Sequence, residues 1–299
     1  MKLANTTGGL FRYTQSQTEA LKYLYQAGFR YADYSFIADY RERTGIYGEN
    51  PEAHIARVAE TAESIGIRLA QAHAPMGSPI SQDNSAFLRD TVVSVEACGK
   101  WGIPNIVVHA GYDYGLTKAE TFQKNKEFFL PILDTAEKYG VNILVENFDK
   151  MTSPNRYWTD NAPDLLEQIE LIDHPLCHAI WDVGHGNLQE LPQHEALTLL
   201  GSHVRALHIH DNLGDWDAHL MPYLGTVNWD SVMHGLQDIG YTGFFTFEVG
   251  RIFLPKDLRR PYPADTRLGG ANLLMRIAAE RYLYELGKAM LEAYQCFEE

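Results

Sequence analysis

Six polar residues stand at or near the ends of six apolar runs: His73, His109, Glu146, Asp182, His208 and Glu248. The first four follow one another at intervals of about 36 residues, the length of one strand–helix repeat. Imidazole and carboxylate are the donors that divalent cations take from proteins, and this set suits Mn²⁺, Mg²⁺, Co²⁺ or Zn²⁺. Charges gathered at strand ends cost free energy if buried unpaired, and a cation would compensate them. A lone strand-end His is more often a hydrogen-bonded structural residue, and a lone Glu often pairs with a loop Lys or Arg. One such residue on each of six successive strands does not reduce to that explanation.

Three further residues thicken the set. Asp182-Val183-Gly184-His185 puts a His three residues after the Asp, and Asp217-Ala218-His219 is a D-x-H pair downstream of His208 and Asp211. His185, Asp217 and His219 are candidates to hold a second cation or to orient substrate hydroxyls. Trp181, Phe148 and Tyr112, beside the motif residues, are candidate apolar walls for a ligand, with plain packing as the alternative.

These residues need a scaffold that brings strand ends together. The strands expected are Lys2–Asn5, Arg30–Ser35, Arg68–His73, Asn105–His109, Asn142–Asn147, His178–Asp182, Val204–His210 and Phe244–Val249. Continuous runs such as Ile106-Val107-Val108 and Ile143-Leu144-Val145 fit parallel strands covered on both faces. Helical periodicity marks Pro51–Ile65, Asn84–Trp101, Lys118–Tyr139, Ala162–Ile172 and Trp229–Ile239. Asn50 is an N-cap followed by Pro51, and Gly28, Gly66, Gly140 and Gly240 sit where helix C-caps belong. Eight alternations predict a (β/α)8 barrel of the α/β class spanning 1–299, with ligands at the C-terminal mouth of the strands. A doubly wound open sheet is the alternative, but no G-x-G-x-x-G follows the first strand. Residues 269–297 read as a long last helix, packing on the barrel or forming a contact in a homo-oligomer.

Composition narrows the partners. With 45% hydrophobic and 21% charged residues in 299, the chain is an ordinary globular one. No apolar run reaches the ~18–20 residues of a membrane span, and the first residues lack a signal-peptide core. Cys98, Cys177 and Cys296 lack C-x-x-C spacing, which fits a reducing, cytoplasmic setting and argues against a cysteine zinc site. The net charge of −14 opposes binding to a phosphate backbone, so nucleic acid is a disfavoured partner.

The series His73-Ala74-Pro75, Val108-His109-Ala110-Gly111, Val145-Glu146-Asn147, Trp181-Asp182-Val183-Gly184-His185, Leu207-His208-Ile209-His210-Asp211 and Phe247-Glu248 resembles the xylose isomerase-like barrel superfamily. That superfamily holds sugar-phosphate isomerases and epimerases, ketose 3-epimerases, hydroxypyruvate isomerases, inosose dehydratases and the endonuclease IV group. The likeness runs from the first strand to the eighth. It implies a shared metal site on Glu146, Asp182, His208 and Glu248, with His208 preferred to His210 because the ligand His precedes an acidic residue by three. The endonuclease branch adds ligands that match His73, His109, His185, Asp217 and His219. The substrate-binding Arg of ketose 3-epimerases falls on Gly214 here, which tells against a free-ketohexose epimerase.

The activity this implies is metal-dependent isomerisation or epimerisation of a sugar or sugar derivative through a metal-stabilised enediolate. Glu146 and Glu248 are the acid–base pair, and His185, His73, His109 and His210 contact the small carbohydrate substrate. The alternatives are a lyase on the same scaffold, by dehydration or β-elimination from an oxidised sugar or glycoside, and a multi-metal hydrolase of the endonuclease IV type. Arg251, Arg259, Arg260 and Arg267 are candidates to grip an anionic group, solvation being the alternative.

Overall fold

Eight parallel strands follow one another around a ring. They are β1 (Lys2–Thr6), β2 (Tyr31–Ser35), β3 (Arg68–His73), β4 (Asn105–Val108), β5 (Asn142–Glu146), β6 (Cys177–Asp182), β7 (Val204–His208) and β8 (Phe244–Phe247). This computed structural model describes residues 1–14, 16–149, 158–250, 252 and 273–299. The ladder runs β7-β6-β5-β4-β3-β2-β1-β8. It closes just past the end of β7, where Ile209 N donates to Thr246 O (2.8 Å) and Glu248 N donates to Ile209 O (3.1 Å). The expected (β/α)8 barrel is therefore the fold.

One principal helix follows each strand: α1 (Gln17–Ala27), α2 (Pro51–Ile65), α3 (Ser85–Trp101), α4 (Lys118–Tyr139), α5 (Ala162–Ile172), α6 (Gln193–Leu200), α7 (Trp229–Asp238) and α8 (Leu273–Ala293). The Asn50 and glycine caps are those expected, and Thr117 adds one that sequence reasoning passes over. Asn50 Oδ1 accepts from Ala53 N at 3.2 Å, and Thr117 with Glu120 closes a capping box at the start of α4. The left-handed φ of Gly66 (77°) and Gly140 (68°) ends α2 and α4 in a conformation that side chains resist. Sequence periodicity does not mark α1 or α6. The buried face of α1 is a short one of Gln17, Ala20, Leu21, Leu24 and Ala27, half of its apolar positions being alanine, and α6 spans only 8 residues. The last helix is shorter than expected: it stops at Ala293, and Glu298 N then donates to Met1 O at 2.8 Å. Residues 269–272 of that expectation lie outside the described residues, as do Arg251, Arg259, Arg260 and Arg267.

Strand alternation places the site. Val107, Leu144, Ile180 and Ala206 meet inside the barrel as a separate buried cluster. Two residues further along each strand direction, and so on the same side of the pleat, stand His109, Glu146, Asp182 and His208. The apolar plug thus floors a ring of polar groups at the mouth. No helix among the described residues is long and apolar enough to cross a membrane.

Candidate active site and metal centre

His208, fully buried, is at the centre. Its Nδ1 lies 2.9 Å from Glu146 Oε1, 3.4 Å from Glu248 Oε2 and 3.9 Å from Asp182 Oδ2. These four come from β5, β6, β7 and the residue after β8, and their donor atoms all lie within 4.8 Å of one another. Glu248 is the most open of them, with 22% of its side chain exposed. A second group shares Glu146: its Oε2 lies 2.7 Å from His109 Nε2 and 3.7 Å from His73 Nε2. A third joins His185, His210, Asp217 and His219, with Asp217 Oδ2 2.7 Å from His219 Nε2 and 3.5 Å from His185 Nε2. Every His, Asp and Glu expected to bind metal, move a proton or contact substrate is in one of these three groups. His208 and His210 separate, the first joining the four-donor group and the second the Asp217 group, where it also lies 3.0 Å from the Asp182 carboxylate.

Backbone carbonyls orient three of the imidazoles. Ala74 O is 2.8 Å from His73 Nδ1, Asn147 O is 2.9 Å from His185 Nδ1, and Glu248 O is 2.7 Å from His219 Nδ1. Each carbonyl accepts from Nδ1–H, which turns Nε2 toward the mouth. Asp182 is fixed as well: its backbone N–H donates to Asn147 Oδ1 (2.7 Å), and its Oδ1 accepts from His185 N (2.7 Å) at the N-terminus of a short helical turn. That turn needs Gly184, since a Cβ there would lie 1.9 Å from His210 Cε1. Phe148 packs its ring 5.0 Å from both His109 and His185 and walls the mouth between them.

The charges respond to one another. Burial would raise the Glu146 carboxyl, but the imidazoles of His208 and His109 hold it well below the usual carboxylate range. Asp217 is likewise held well below that range against burial, by His219 and His185. Burial would lower His208, yet the carboxylates of Glu248 and Glu146 raise it well above an ordinary imidazole. His185 is raised against burial by Asp182 and Asp217, and His219 is pushed up to about 9, chiefly by Asp217. His73 goes the other way, lowered by burial and by the neighbouring His109. Protonated imidazoles thus supply the positive charge that the carboxylates require. A divalent cation can supply the same charge, and the donors fit one: oxygen and imidazole nitrogen, buried, convergent, with Asp217 Oδ1 and His210 Nδ1 making no hydrogen bond.

One expectation is corrected, and one residue is new. Trp181 is not a wall of the mouth. It faces away from it, as the neighbour of inward Asp182 must, and its Nε1 donates to Gln193 Oε1 of α6 at 2.7 Å. Asp211, which set the register of His208, accepts from the backbone N–H groups of Asn212, Tyr223 and Val227 and so shapes the loop after β7. Tyr112 lines a cavity of about 350 Å³ with Gly77, Ser78, Pro79, Gly111 and Tyr114, beside His109. Sequence reasoning passes over Asp33, a fully buried carboxylate on β2 whose Oδ2 is 3.3 Å from His208 Nε2. Its signal was an Asp inside an otherwise apolar and aromatic strand, Tyr31-Ala32-Asp33-Tyr34-Ser35.

Residues 21–264 match the family model described as xylose isomerase-like TIM barrel. The chain belongs to that family. Among the relatives of this xylose isomerase-like barrel is an uncharacterized protein of Methanocaldococcus jannaschii, 33% identical over 150 residues, 48% of this chain and 50% of the relative. Fructoselysine 3-epimerase of Escherichia coli O157:H7 is 27% identical over 147 residues, 49% of this chain and 51% of the enzyme. The chain spans about half the length of these curated relatives. A crystal structure of a D-tagatose 3-epimerase-like protein shares the fold with a TM-score of 0.73 at 22% identity, covering 98% of both chains.

Proposed function

We propose that this xylose isomerase-like barrel is a divalent-metal-dependent isomerase or epimerase acting on a sugar or related polyhydroxy carbonyl compound. The observation that carries the proposal is the placing of Glu146 and Glu248. They lie three strands apart in the ring, yet both carboxylates reach His208 Nδ1, at 2.9 and 3.4 Å. Isomerisation and epimerisation require a proton to leave a carbon beside a carbonyl and to return at a neighbouring position or on the opposite face. Two carboxylates approaching one point from separate strands meet that requirement as general base and general acid. The fructoselysine epimerase among the relatives supports the same reaction class.

Glu146, Asp182, His208 and Glu248 would hold the cation. When bound, it supplies Lewis acidity that polarises a carbonyl and an adjacent hydroxyl. The rest falls to side chains. Glu248, the more open carboxylate, reaches substrate as it enters, while Glu146 receives or returns the proton from the closed side. His185 presents Nε2 to a substrate oxygen because Asn147 O fixes its other nitrogen. His109, His73 and His210 line the mouth as further hydrogen-bonding groups, and Phe148 covers it against water.

The test is incubation of metal-loaded protein in D₂O with ketoses, aldoses and their oxidised glycosides, followed by mass spectrometry. Label at carbon in recovered product, lost in Glu146→Gln and Glu248→Gln, is the expected result. Label together with loss of a leaving group identifies a lyase instead. Turnover with no label, or full activity in both Gln variants, contradicts proton transfer by this pair.

One observation favours a second reading, a multi-metal hydrolase: three donor groups share one mouth. Its attacking group would be water, and it needs no C–H chemistry. The net charge of −14 weighs against a nucleic-acid substrate for it.

A further inference from the structure

Beneath the mouth, one side of the barrel interior is not apolar. Asp33, Gln71 and Thr246 are fully buried on β2, β3 and β8. Gln71 and Thr246 stand two residues before His73 and Glu248, in the layer of the apolar plug. Thr246 Oγ1 donates to Gln71 Oε1 at 2.9 Å, and Gln71 Nε2 donates to Asp33 Oδ2 at 3.5 Å. A register shift between Ala32 and Asp33, which pairs Asp33 with Gln71 and leaves Ala70 without a partner, sets this alignment. The chain ends at His208, whose Nε2 lies 3.3 Å from the same Asp33 oxygen.

A fully buried carboxylate without compensation is costly. Among the described residues, the one ion pair of Asp33 is with His208. His208 Nε2 and Asp33 Oδ1 have no hydrogen-bond partner, which leaves the 3.3 Å approach to Asp33 Oδ2 as the polar contact that Nε2 faces. The other imidazoles of the mouth show what is missing. His73, His185 and His219 each turn Nδ1 to a backbone carbonyl and Nε2 to the cluster. His208 is reversed, with Nδ1 to the carboxylates and Nε2 to the rear, where no carbonyl but a carboxylate stands.

We infer that Asp33 is the positioning residue for His208. It accepts Nε2–H, holds the ring with the Nδ1 lone pair toward Glu146, Asp182 and Glu248, and is itself aimed by Gln71 and Thr246. Groups behind a ligating imidazole fix its tautomer and raise its basicity, and their removal typically weakens metal binding 10–100-fold. The inference rests on His208 being a metal ligand. It goes beyond that reading in giving a role to three residues that touch neither substrate nor cation.

The experiment is titration of the metal-free full-length protein with Co²⁺, following binding by dialysis and the visible absorption of the bound ion. Three forms are compared: the unaltered protein, Asp33→Asn and His208→Ala. Asp33→Asn keeps the shape but replaces the acceptor charge with an amide. It should weaken Co²⁺ binding about 10–100-fold and alter the spectrum, with unchanged far-ultraviolet circular dichroism. Unaltered affinity and spectrum in Asp33→Asn, while His208→Ala loses the ion, overturns this inference alone. Unaltered binding in His208→Ala overturns the ligand assignment beneath it. Thr246→Val, which removes only the hydroxyl that aims Gln71, decides the matter if Asp33→Asn does not fold: weaker binding supports the chain, and unaltered binding refutes it.

Discussion

Replacing Gly184 by alanine puts a methyl carbon 1.9 Å from His210 Cε1 and 2.2 Å from its Nδ1. Carbon atoms in contact sit at about 3.5–4.0 Å, so the ring must move by roughly 1.5 Å or more. It has little room. His210 is fully buried, its ring stacks on His219 at 4.0 Å, and its Nε2 lies 3.0 Å from the Asp182 carboxylate. Overpacking of this kind costs about 1–3 kcal/mol, and the hydrogen bond to Asp182 adds roughly 1 kcal/mol. Together these give about 2–4 kcal/mol, or a fall in Tm of about 3–6 °C for a chain of this size. The backbone contribution has the opposite sign: φ at Gly184 is not in the left-handed region, and Gly→Ala at a compatible site stabilises by about 0.4–1 kcal/mol. The assay is thermal unfolding with a chelator present, so that metal binding does not shift the transition. His210→Ala makes room for the methyl group, so the double variant Gly184→Ala/His210→Ala should be clearly more stable than the sum of the single losses. A Tm for Gly184→Ala at or above that of the unaltered protein, or strict additivity in the double variant, would refute the steric argument.

Two other perturbations act outside that contact. Burial, with Arg57 nearby, pushes His54 down to about 4, and its Nε2 lies 2.9 Å from Tyr34 Oη. A folded-state pKa below the unfolded 6.5 means that the full stability contribution is present above pH 6.5 and is lost as the pH falls toward 4. Urea midpoints measured from pH 7.5 to 4 should therefore decline less steeply in His54→Gln, and an identical slope would contradict this assignment. Asp211→Ala strips the acceptor from the backbone N–H groups of Asn212, Tyr223 and Val227 and from Trp229 Nε1. A loss of about 3 kcal/mol or more in chemical denaturation is expected, because hydrogen bonds to a charged acceptor contribute about 1.5–3 kcal/mol each.

Much of this architecture is legible in the sequence because each barrel strand obeys the same short rule. Apolar runs such as Ile143-Leu144-Val145 mark doubly covered strands, and the polar residue that ends each run marks the mouth. Helix limits at Pro51–Ile65, Lys118–Tyr139 and Ala162–Ile172 agree with expectation because Asn and Thr N-caps, and Gly66, Gly140 and the left-handed Asp173 at the C-termini, fix them locally. What escaped notice depends on contacts through space. Asp33 owes its place behind His208 to a register shift that no periodicity reveals. The division of the polar residues into three groups depends on which imidazole nitrogen a carbonyl engages, as Asn147 O does for His185. Trp181 shows the converse: nearness to a motif in sequence says little, since strand neighbours point to opposite faces.

The central claim is that Glu146, Asp182, His208 and Glu248 hold one catalytic cation. Metal analysis of the purified protein, counted per chain and repeated on Ala variants at each of the four positions, tests it most directly. One tightly held divalent ion per chain, lost in all four variants while circular dichroism still reports a folded barrel, is the predicted result. Full occupancy in the four variants would contradict the assignment, and two or three tightly held ions per chain would move the balance to the multi-metal hydrolase.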